Sequence, residues 1–211
     1  MASRPTSTTL PSIVCFGASA GGFEAYCTIL SLLPTDTGFA FVIVHHQPAT
    51  GKSLLVEILP GKTKMPVVLV ADGETVKANH VYVVPAGRQI TLERNSFRLS
   101  PLERSPGWPK NISVFLESLA AHRRKRAIAV ILSGFDSDGA AALRSIKEAG
   151  GLVIAQKPQT AKEPSMPCSA VATGCVDQLL SPVEIAAELT RLGAERARAP
   201  RAKPTAQPSR P

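Results

Sequence analysis

The sequence is poor in aromatic residues and contains no long apolar run. It has one Trp and two Tyr among 211 residues. No segment approaches the ~20 apolar residues that a membrane-spanning helix needs. Residues 1–12 also lack the apolar stretch of a secretory signal peptide. These absences predict a cytoplasmic protein that does not insert into a membrane.

Cysteine is scarce as well, and its pattern argues against a zinc-binding protein. No two cysteines form a Cys-x-x-Cys pair, and their spacing matches no zinc site. In a cytoplasmic protein we therefore expect buried, reduced thiols and no metal site. The four cysteines are Cys15, Cys27, Cys168 and Cys175.

Acidic residues are outnumbered, since 16 Asp and Glu stand against 24 Lys and Arg, and the net charge is +8. The excess lies in residues 123–126 and 195–211, and the remaining chain is electrically balanced. The run at 123–126 follows a predicted helix, where cations suit the negative end of the helix dipole, and we expect a solvated face there. Because aromatic residues are few and no nucleic-acid-binding motif occurs, we expect no nucleic-acid partner.

The order of apolar patterns predicts a doubly wound α/β fold, with a mostly parallel sheet, helices on both faces and a small β-hairpin. Hydrophobic residues make up 44% of the chain, which is typical of a globular protein. Strands are predicted at 13–16, 39–44, 66–70, 81–84, 127–132 and 152–155, and the hairpin at 89–92 and 97–99. Helices are predicted at 23–33, 52–59, 112–120, 140–149 and 182–192. Residues 1–11 are predicted to form a flexible arm, 12–193 the folded domain, and 194–211 a disordered basic tail rich in Ala, Pro and Arg.

Three predicted strands end in residues that can carry chemistry. The first is followed by a glycine-rich loop with Ser19, the second by His45 and His46, and the strand at 127–132 by Asp136 and Asp138. In an open α/β sheet, ligands bind beyond the carboxyl ends of the strands. We therefore expect these loops to form one site.

The first loop has the pattern Gly-x-Ser-x-Gly around Ser19, which on a strand–turn–helix is typical of an exposed nucleophile. Its alternative is a glycine-rich turn that holds a nucleotide phosphate. The dinucleotide pattern Gly-x-Gly-x-x-Gly is not met, because Ser19 occupies the position of its second glycine.

A serine nucleophile needs a base and an acid that orients it. His45 and His46 are consecutive at a strand end and face opposite sides, so only one can meet Ser19. For the other histidines, His80 and His122, we expect structural roles. The acid could be either aspartate of the third loop, and Asp138 could instead cap the helix that follows.

Several blocks of the sequence, in this order, resemble the catalytic domain of the CheB-type chemotaxis protein-glutamate methylesterases. The resemblance extends from about residue 13 to 192. The blocks are GASAGG at 17–22, VHHQP at 44–48, DG at 72–73, HVYVVPAG at 80–87, ILSGFDSDGAAAL at 131–143, AGGLVIAQ at 149–156 and MPCSA at 166–170.

The resemblance implies that Ser19 is the nucleophile, His46 the base and Asp138 the orienting acid. It also implies that backbone N–H groups near Ala20 and Phe135 form the oxyanion hole. The implied activity is the hydrolysis of glutamate γ-methyl esters on chemoreceptors, with deamidation of receptor glutamines, and it requires no cofactor or metal. Methyl-accepting receptors are the implied partners in signal transduction, together with a partner methyltransferase or a separate response regulator.

The sequence departs from the family pattern in three respects. Ser19 lies so near the start that we expect no receiver domain before it, and hence no control by a fused receiver. Asp136 occupies a position where glycine is frequent, and Ser113 one where an acidic residue is common. The altered loop at Phe135 and Asp136 supports an alternative, a non-catalytic regulatory module that binds a receptor or a signalling partner.

Overall fold

The computed structural model describes residues 10–46, 53–102 and 110–198, which form nine strands and six α-helices. The strands are β1 (Ser12–Ala18), β2 (Phe39–His45), β3 (Val67–Leu69), β4 (His80–Val83), β5 (Arg88–Glu93), β6 (Ser96–Pro101), β7 (Ala127–Ile131), β8 (Leu152–Gln156) and β9 (Gln178–Leu180). The helices are α1 (Gly22–Leu32), α2 (Leu55–Ile58), α3 (Asn111–Arg123), α4 (Leu143–Glu148), α5 (Ser165–Ala172) and α6 (Pro182–Arg198).

Seven of these strands form one parallel sheet in the order β3-β4-β2-β1-β7-β8-β9. Its central strands β2, β1 and β7 are apolar and buried along nearly their whole length, as expected for a parallel sheet covered on both faces. β5 and β6 pair separately as an antiparallel hairpin. The predicted α/β fold with a small hairpin is confirmed.

The alternation of side chains along the strands divides the core into two layers. On β1, Ile13 and Cys15 face one layer, and Val14 and Phe16 face the other. The first layer packs against α3, α4, α5 and the hairpin, and the second against α1, α2 and α6. Because both faces of the sheet are covered, polar groups of the central strands can reach a ligand only from the loops at the strand ends.

The observed elements differ from the predicted ones mainly in the last third of the chain. The sequence patterns predict neither α5, which contains Pro167, nor the three-residue strand β9. α4 begins at Leu143, because residues 140–142 form turns. α6 continues to Arg198, so residues 194–198 are helical and not part of a disordered tail. Predicted features at residues 1–9, 47–52 and 199–211 lie outside the described residues.

Arg123 contradicts the expectation of a solvated face at residues 123–126. It is only 3% exposed. Its guanidinium donates hydrogen bonds to Arg94 O and, at 2.6 Å, to Asn95 Oδ1 in the hairpin turn. Burial, reinforced by the charge of Arg126, lowers the pKa of Arg123 to about 10. This arginine therefore joins the end of α3 to the hairpin.

All four cysteines are free. Cys15 and Cys27 are buried as expected, whereas Cys168 is exposed and Cys175 is partly exposed, so the expectation of burial is wrong for these two. Among the helices that the structure describes, none is both long and apolar enough to cross a membrane.

Candidate active site

The loops that follow β1, β2 and β7 are hydrogen-bonded to one another at the carboxyl edge of the sheet. Ser19 N donates to Ser133 O (2.9 Å), and His46 N donates to Ala18 O (3.1 Å). The hydroxyl of Ser133 donates to Ala20 O (2.7 Å). The loop that carries Ser19 is thus held from both sides by the ends of its two neighbouring strands.

Two glycines allow the close packing around Ser19. Gly21 has φ +73°, a conformation that glycine adopts without strain, and it directs the chain into α1. A Cβ atom on Gly134 would lie 2.8 Å from Ser19 Cβ and 2.0 Å from Met166 Sδ. Because Gly134 has no side chain, the loop after β7 can approach the serine closely. Ser19 itself is 9% exposed.

The imidazole ring of His46 lies between two carboxylates. Its Nε2 is 2.9 Å from Asp138 Oδ2, and its Nδ1 is 3.0 Å from Asp136 Oδ2. The side chain of His46 is 4% exposed, against 3% for Asp138 and 16% for Asp136. The structure therefore brings together the predicted base and the predicted orienting acid, and it places a second carboxylate on the opposite ring nitrogen.

The carboxylate of Asp138 is fixed by the first turn of α3. Ile112 N donates to Asp138 Oδ2 (2.8 Å), and Ser113 donates to Oδ1 from both its amide (3.0 Å) and its hydroxyl (2.7 Å). Gly139 N also donates to Oδ1 (2.7 Å). Asp138 thus binds the positive end of α3, which corrects the alternative that it caps the helix following it in sequence.

These contacts change the charge states of the paired residues. Burial alone would lower the pKa of His46, but the hydrogen bond to Asp138 and the short contact with the Asp136 carboxylate outweigh it and raise this pKa to about 9. For Asp138, burial raises the pKa, and the hydrogen bonds from His46, Ser113 and the amide of Ile112 outweigh it, so that its pKa is lowered. His46 is therefore charged at neutral pH and faces ionised Asp138.

His45 faces the opposite side of the sheet from His46. Its ring contacts the ring of Tyr26 on α1 edge to face, with 5.9 Å between the ring centroids. Burial, and to a smaller degree the charge of His46, lowers the pKa of His45 to about 4. His45 is thus a neutral packing residue against α1.

The residues expected to form the oxyanion hole lie in the two loops that border Ser19. Within the described part of the chain, the backbone amides of Ala20 and Phe135 donate no hydrogen bond to another protein group. The side chain of Phe135 is 61% exposed, which places a large apolar surface beside the site.

Two supporting residues were not identified from the sequence. Ser113 was noted only as a departure from the family pattern, yet its hydroxyl binds Asp138 directly. Gln156 is 1% exposed at the end of β8, and its Oε1 accepts the amide of Ser133 (3.0 Å). A polar residue that ends an apolar strand is the signal that could have indicated Gln156.

A parallel α/β domain that gathers serine, histidine and aspartate at adjacent strand ends has the arrangement of a serine-hydrolase site. No group of three or more metal-ligating side chains occurs in the part of the chain that the structure describes.

Comparisons with known proteins identify the family. The chain belongs to the CheB methylesterase family, whose model matches residues 14–189. A Leptospira interrogans protein, provisionally named protein-glutamate methylesterase/protein-glutamine glutaminase, is 37% identical over 180 residues, which cover 85% of this chain and 93% of that protein. The protein-glutamate methylesterase/protein-glutamine glutaminase of Geobacillus kaustophilus is 34% identical over 86% of this chain, but the match spans only 53% of that relative.

A solved structure agrees with this assignment. The crystal structure of the Thermotoga maritima CheB methylesterase catalytic domain has a TM-score of 0.82 and 28% sequence identity. The match covers 86% of this chain and 98% of that domain. The described fold is therefore that of a CheB catalytic domain.

Proposed function

We propose that this chain is a protein-glutamate methylesterase that hydrolyses glutamate γ-methyl esters on methylated chemotaxis receptors. Membership of the CheB methylesterase family and the names of its relatives support this activity. The observation that carries a catalytic role for this site is the contact between His46 and Asp138, fixed by α3 and joined through the backbone to the loop of Ser19.

Acylation begins when neutral His46 accepts the hydroxyl proton of Ser19. The serine oxygen forms a bond to the γ-carbonyl carbon, and the carbonyl oxygen becomes an oxyanion bound by the amides of Ala20 and Phe135. The bond to the methoxy group then breaks, and His46 gives its proton to the departing oxygen, so that methanol leaves. Asp138 stabilises the imidazolium that forms between these steps.

Deacylation repeats the sequence with water. His46 accepts a proton from the water molecule, whose oxygen attacks the acyl carbon, and the bond to Ser19 breaks as His46 returns the proton to the serine oxygen. The products are a glutamate side chain, which releases a proton to solvent, and the regenerated Ser19. Methyl ester and water are thus converted to carboxylic acid and methanol without any cofactor.

We also propose deamidation of receptor glutamines at the same site, by the same acyl-enzyme with ammonia as the leaving group. The paired activities in the names of the relatives support this proposal. An amide is a poorer acyl donor than an ester, so deamidation is expected to be the slower reaction. The partners proposed are a methylated receptor and a methyltransferase or response regulator of the same pathway.

The proposed function is tested by methanol release from receptor preparations carrying labelled methyl esters, measured at pH 7 and pH 9. The wild-type chain should release methanol, and Ser19→Ala should reduce the rate by about 10³-fold or more. A fluorophosphonate probe should label Ser19 in the wild type only.

Ser31→Ala is the matched control, because Ser31 lies on α1 and its hydroxyl donates to Thr28 O of the same helix. This variant should retain the wild-type rate. A Ser19→Ala protein that releases methanol as fast as the wild type would exclude Ser19 as the nucleophile. If the folded wild type neither released methanol nor reacted with the probe between pH 6 and pH 10, the non-catalytic module would be favoured.

A further inference from the structure

We propose that Asp136 is a positioning residue that holds His46 in a resting, charged state, and that catalysis requires this carboxylate to leave Nδ1. This proposal rests on the proposed function and concerns the regulation of the same site. It is based on the two short contacts of the His46 ring, 2.9 Å to Asp138 and 3.0 Å to Asp136.

The hydrogen-bond chemistry of imidazole explains why this arrangement is a resting state. An ionised carboxylate can only accept hydrogen bonds, and its negative charge favours a proton on the ring nitrogen beside it. With a carboxylate at each nitrogen, His46 carries both protons and is an imidazolium. An imidazolium has no lone pair with which to accept the proton of Ser19, so the base is inactive in this arrangement.

The two carboxylates are held very differently, and this identifies the one that moves. Asp138 accepts four hydrogen bonds from the first turn of α3 and the amide of Gly139, in addition to its contact with His46. Asp136 accepts a hydrogen bond from Asp138 N (2.8 Å) and is the more exposed of the two side chains. Rotation of the Asp136 side chain into solvent therefore releases Nδ1 and leaves the pair of His46 and Asp138 intact.

The other titratable groups near His46 carry no charge that could keep its ring protonated at neutral pH. In the described part of the chain, His45 precedes His46 at the end of β2, and Cys15 of β1 lies near Asp138. His45 is neutral near pH 7, since its pKa is lowered, and burial raises the pKa of the Cys15 thiol so that it too is uncharged. The two aspartates are therefore the charges that hold His46 protonated, in agreement with its raised pKa.

A substrate or partner that displaces Asp136 would convert the site from resting to active. A glycine at position 136 would have no carboxylate to place beside His46 Nδ1. In the present chain, His46 would thus be blocked as a base at neutral pH until the loop after β7 moves Asp136 away from Nδ1. A chain with glycine at position 136 would not need this movement.

The test compares the wild type with Asp136→Asn. The Asn side chain keeps an oxygen that can accept the amide of Asp138, but it removes the charge beside Nδ1. The rate of Ser19 labelling by the fluorophosphonate should rise with pH in the wild type, with a midpoint near pH 9. In Asp136→Asn the midpoint should fall by about 1–3 pH units, and the rate at pH 7 should rise about tenfold or more.

Asp72→Asn is the matched control, because Asp72 is an exposed loop aspartate that also accepts a backbone amide, from Leu99 (2.9 Å). Its pH profile should equal that of the wild type. Identical profiles for the wild type and Asp136→Asn would overturn the proposal while leaving the esterase assignment intact.

A second measurement does not depend on activity. The ring C–H signals of His46, followed by NMR, should titrate near pH 9 in the wild type and at least one unit lower in Asp136→Asn. A wild-type midpoint near the ordinary value of about 6.5 would overturn the proposal even if the chain had no esterase activity. If only the proposed function were wrong, Ser19 would remain unlabelled at every pH in both the wild type and Asp136→Asn. The difference between their His46 titration midpoints would still be seen by NMR.

Discussion

His45 and His46 are neighbours in sequence but have pKa values on opposite sides of neutrality, about 4 and about 9 respectively. The period of the strand explains the difference, since consecutive side chains leave opposite faces of the sheet. His45 packs against Tyr26 in an apolar layer, whereas His46 enters a loop that supplies two carboxylates. One peptide bond thus separates a neutral packing residue from a charged one.

The raised pKa of His46 predicts how stability depends on pH. Because the pKa in the folded chain lies above its unfolded value of about 6.5, the stabilisation is fully present below pH 6.5. It is lost as pH rises to about 9. Compared with His46→Gln, the wild type should be more stable by at most about 3 kcal/mol near pH 6. Urea unfolding at pH 6, 8 and 10 measures this difference, and a difference that stays constant would contradict the prediction.

Ser113→Ala should weaken the support of Asp138. The change removes a hydrogen bond to Asp138 Oδ1 and an acceptor for Gly139 N (2.9 Å), so we expect a loss of about 1–3 kcal/mol. The labelling rate of Ser19 should also fall, because Asp138, the acid proposed to orient His46, would be held less firmly. Chemical unfolding and fluorophosphonate labelling measure the two effects.

Ser118→Ala on the same helix is the control for Ser113→Ala. The Ser118 hydroxyl accepts the amide of Leu92 (3.0 Å) and donates to Phe115 O (2.8 Å), away from the site. It should cost comparable stability without changing the labelling rate. Equal labelling rates in both variants would show that Ser113 acts only on stability.

Gly134→Ala should disturb the position of Ser19. The added Cβ would meet Ser19 Cβ and Met166 Sδ, and the resulting displacement should cost about 1–3 kcal/mol and reduce labelling strongly. At Gly61 a Cβ meets no atom within 4 Å, so Gly61→Ala should change stability by only about 0.5 kcal/mol. If Gly134→Ala were labelled at the wild-type rate, the loops after β1 and β7 would tolerate a wider separation.

The exposure of the cysteines predicts two classes of thiol. Cys168 should react rapidly with Ellman's reagent in the folded chain, and Cys175 more slowly. Cys15 and Cys27 should react only after unfolding, because burial hinders access and raises the pKa of both thiols. Cys168→Ser should remove the rapid phase, and a rapid phase that survives this change would contradict the assignment.

The apolar patterns of the central strands sufficed to predict the fold, because strands buried on both faces leave a continuous apolar signal. β1, β2 and β7 have this signal, and the loops after them held the candidate residues. The short edge strand β9 had no such signal. β9 contains only three residues, and its side chains are partly exposed, so its pairing with β8 depends on the tertiary fold.

The candidate site was only partly predictable for a similar reason. The order of the blocks identified Ser19, His46 and Asp138 as candidates, but spacing gives no information about hydrogen bonds between distant loops. The hydrogen bonds from Ser113 to Asp138 depend on how α3 packs against the loop after β7. The contact of Asp136 with His46 likewise depends on the path of that loop, although the residue itself had been noted as unusual.

The hydrogen bond from Ser19 N to Ser133 O has a consequence for biosynthesis. β1 pairs with β2 soon after both have been translated, but its other neighbour, β7, is made much later. Until then one edge of β1 is open, and an open edge with apolar faces invites pairing with other chains. A nascent chain that ends before residue 127 lacks β7 and the loop after it, and so could not assemble the site. Because the loops of Ser19 and Ser133 are far apart in sequence, the site can form only after the loop that follows β7 has been synthesised.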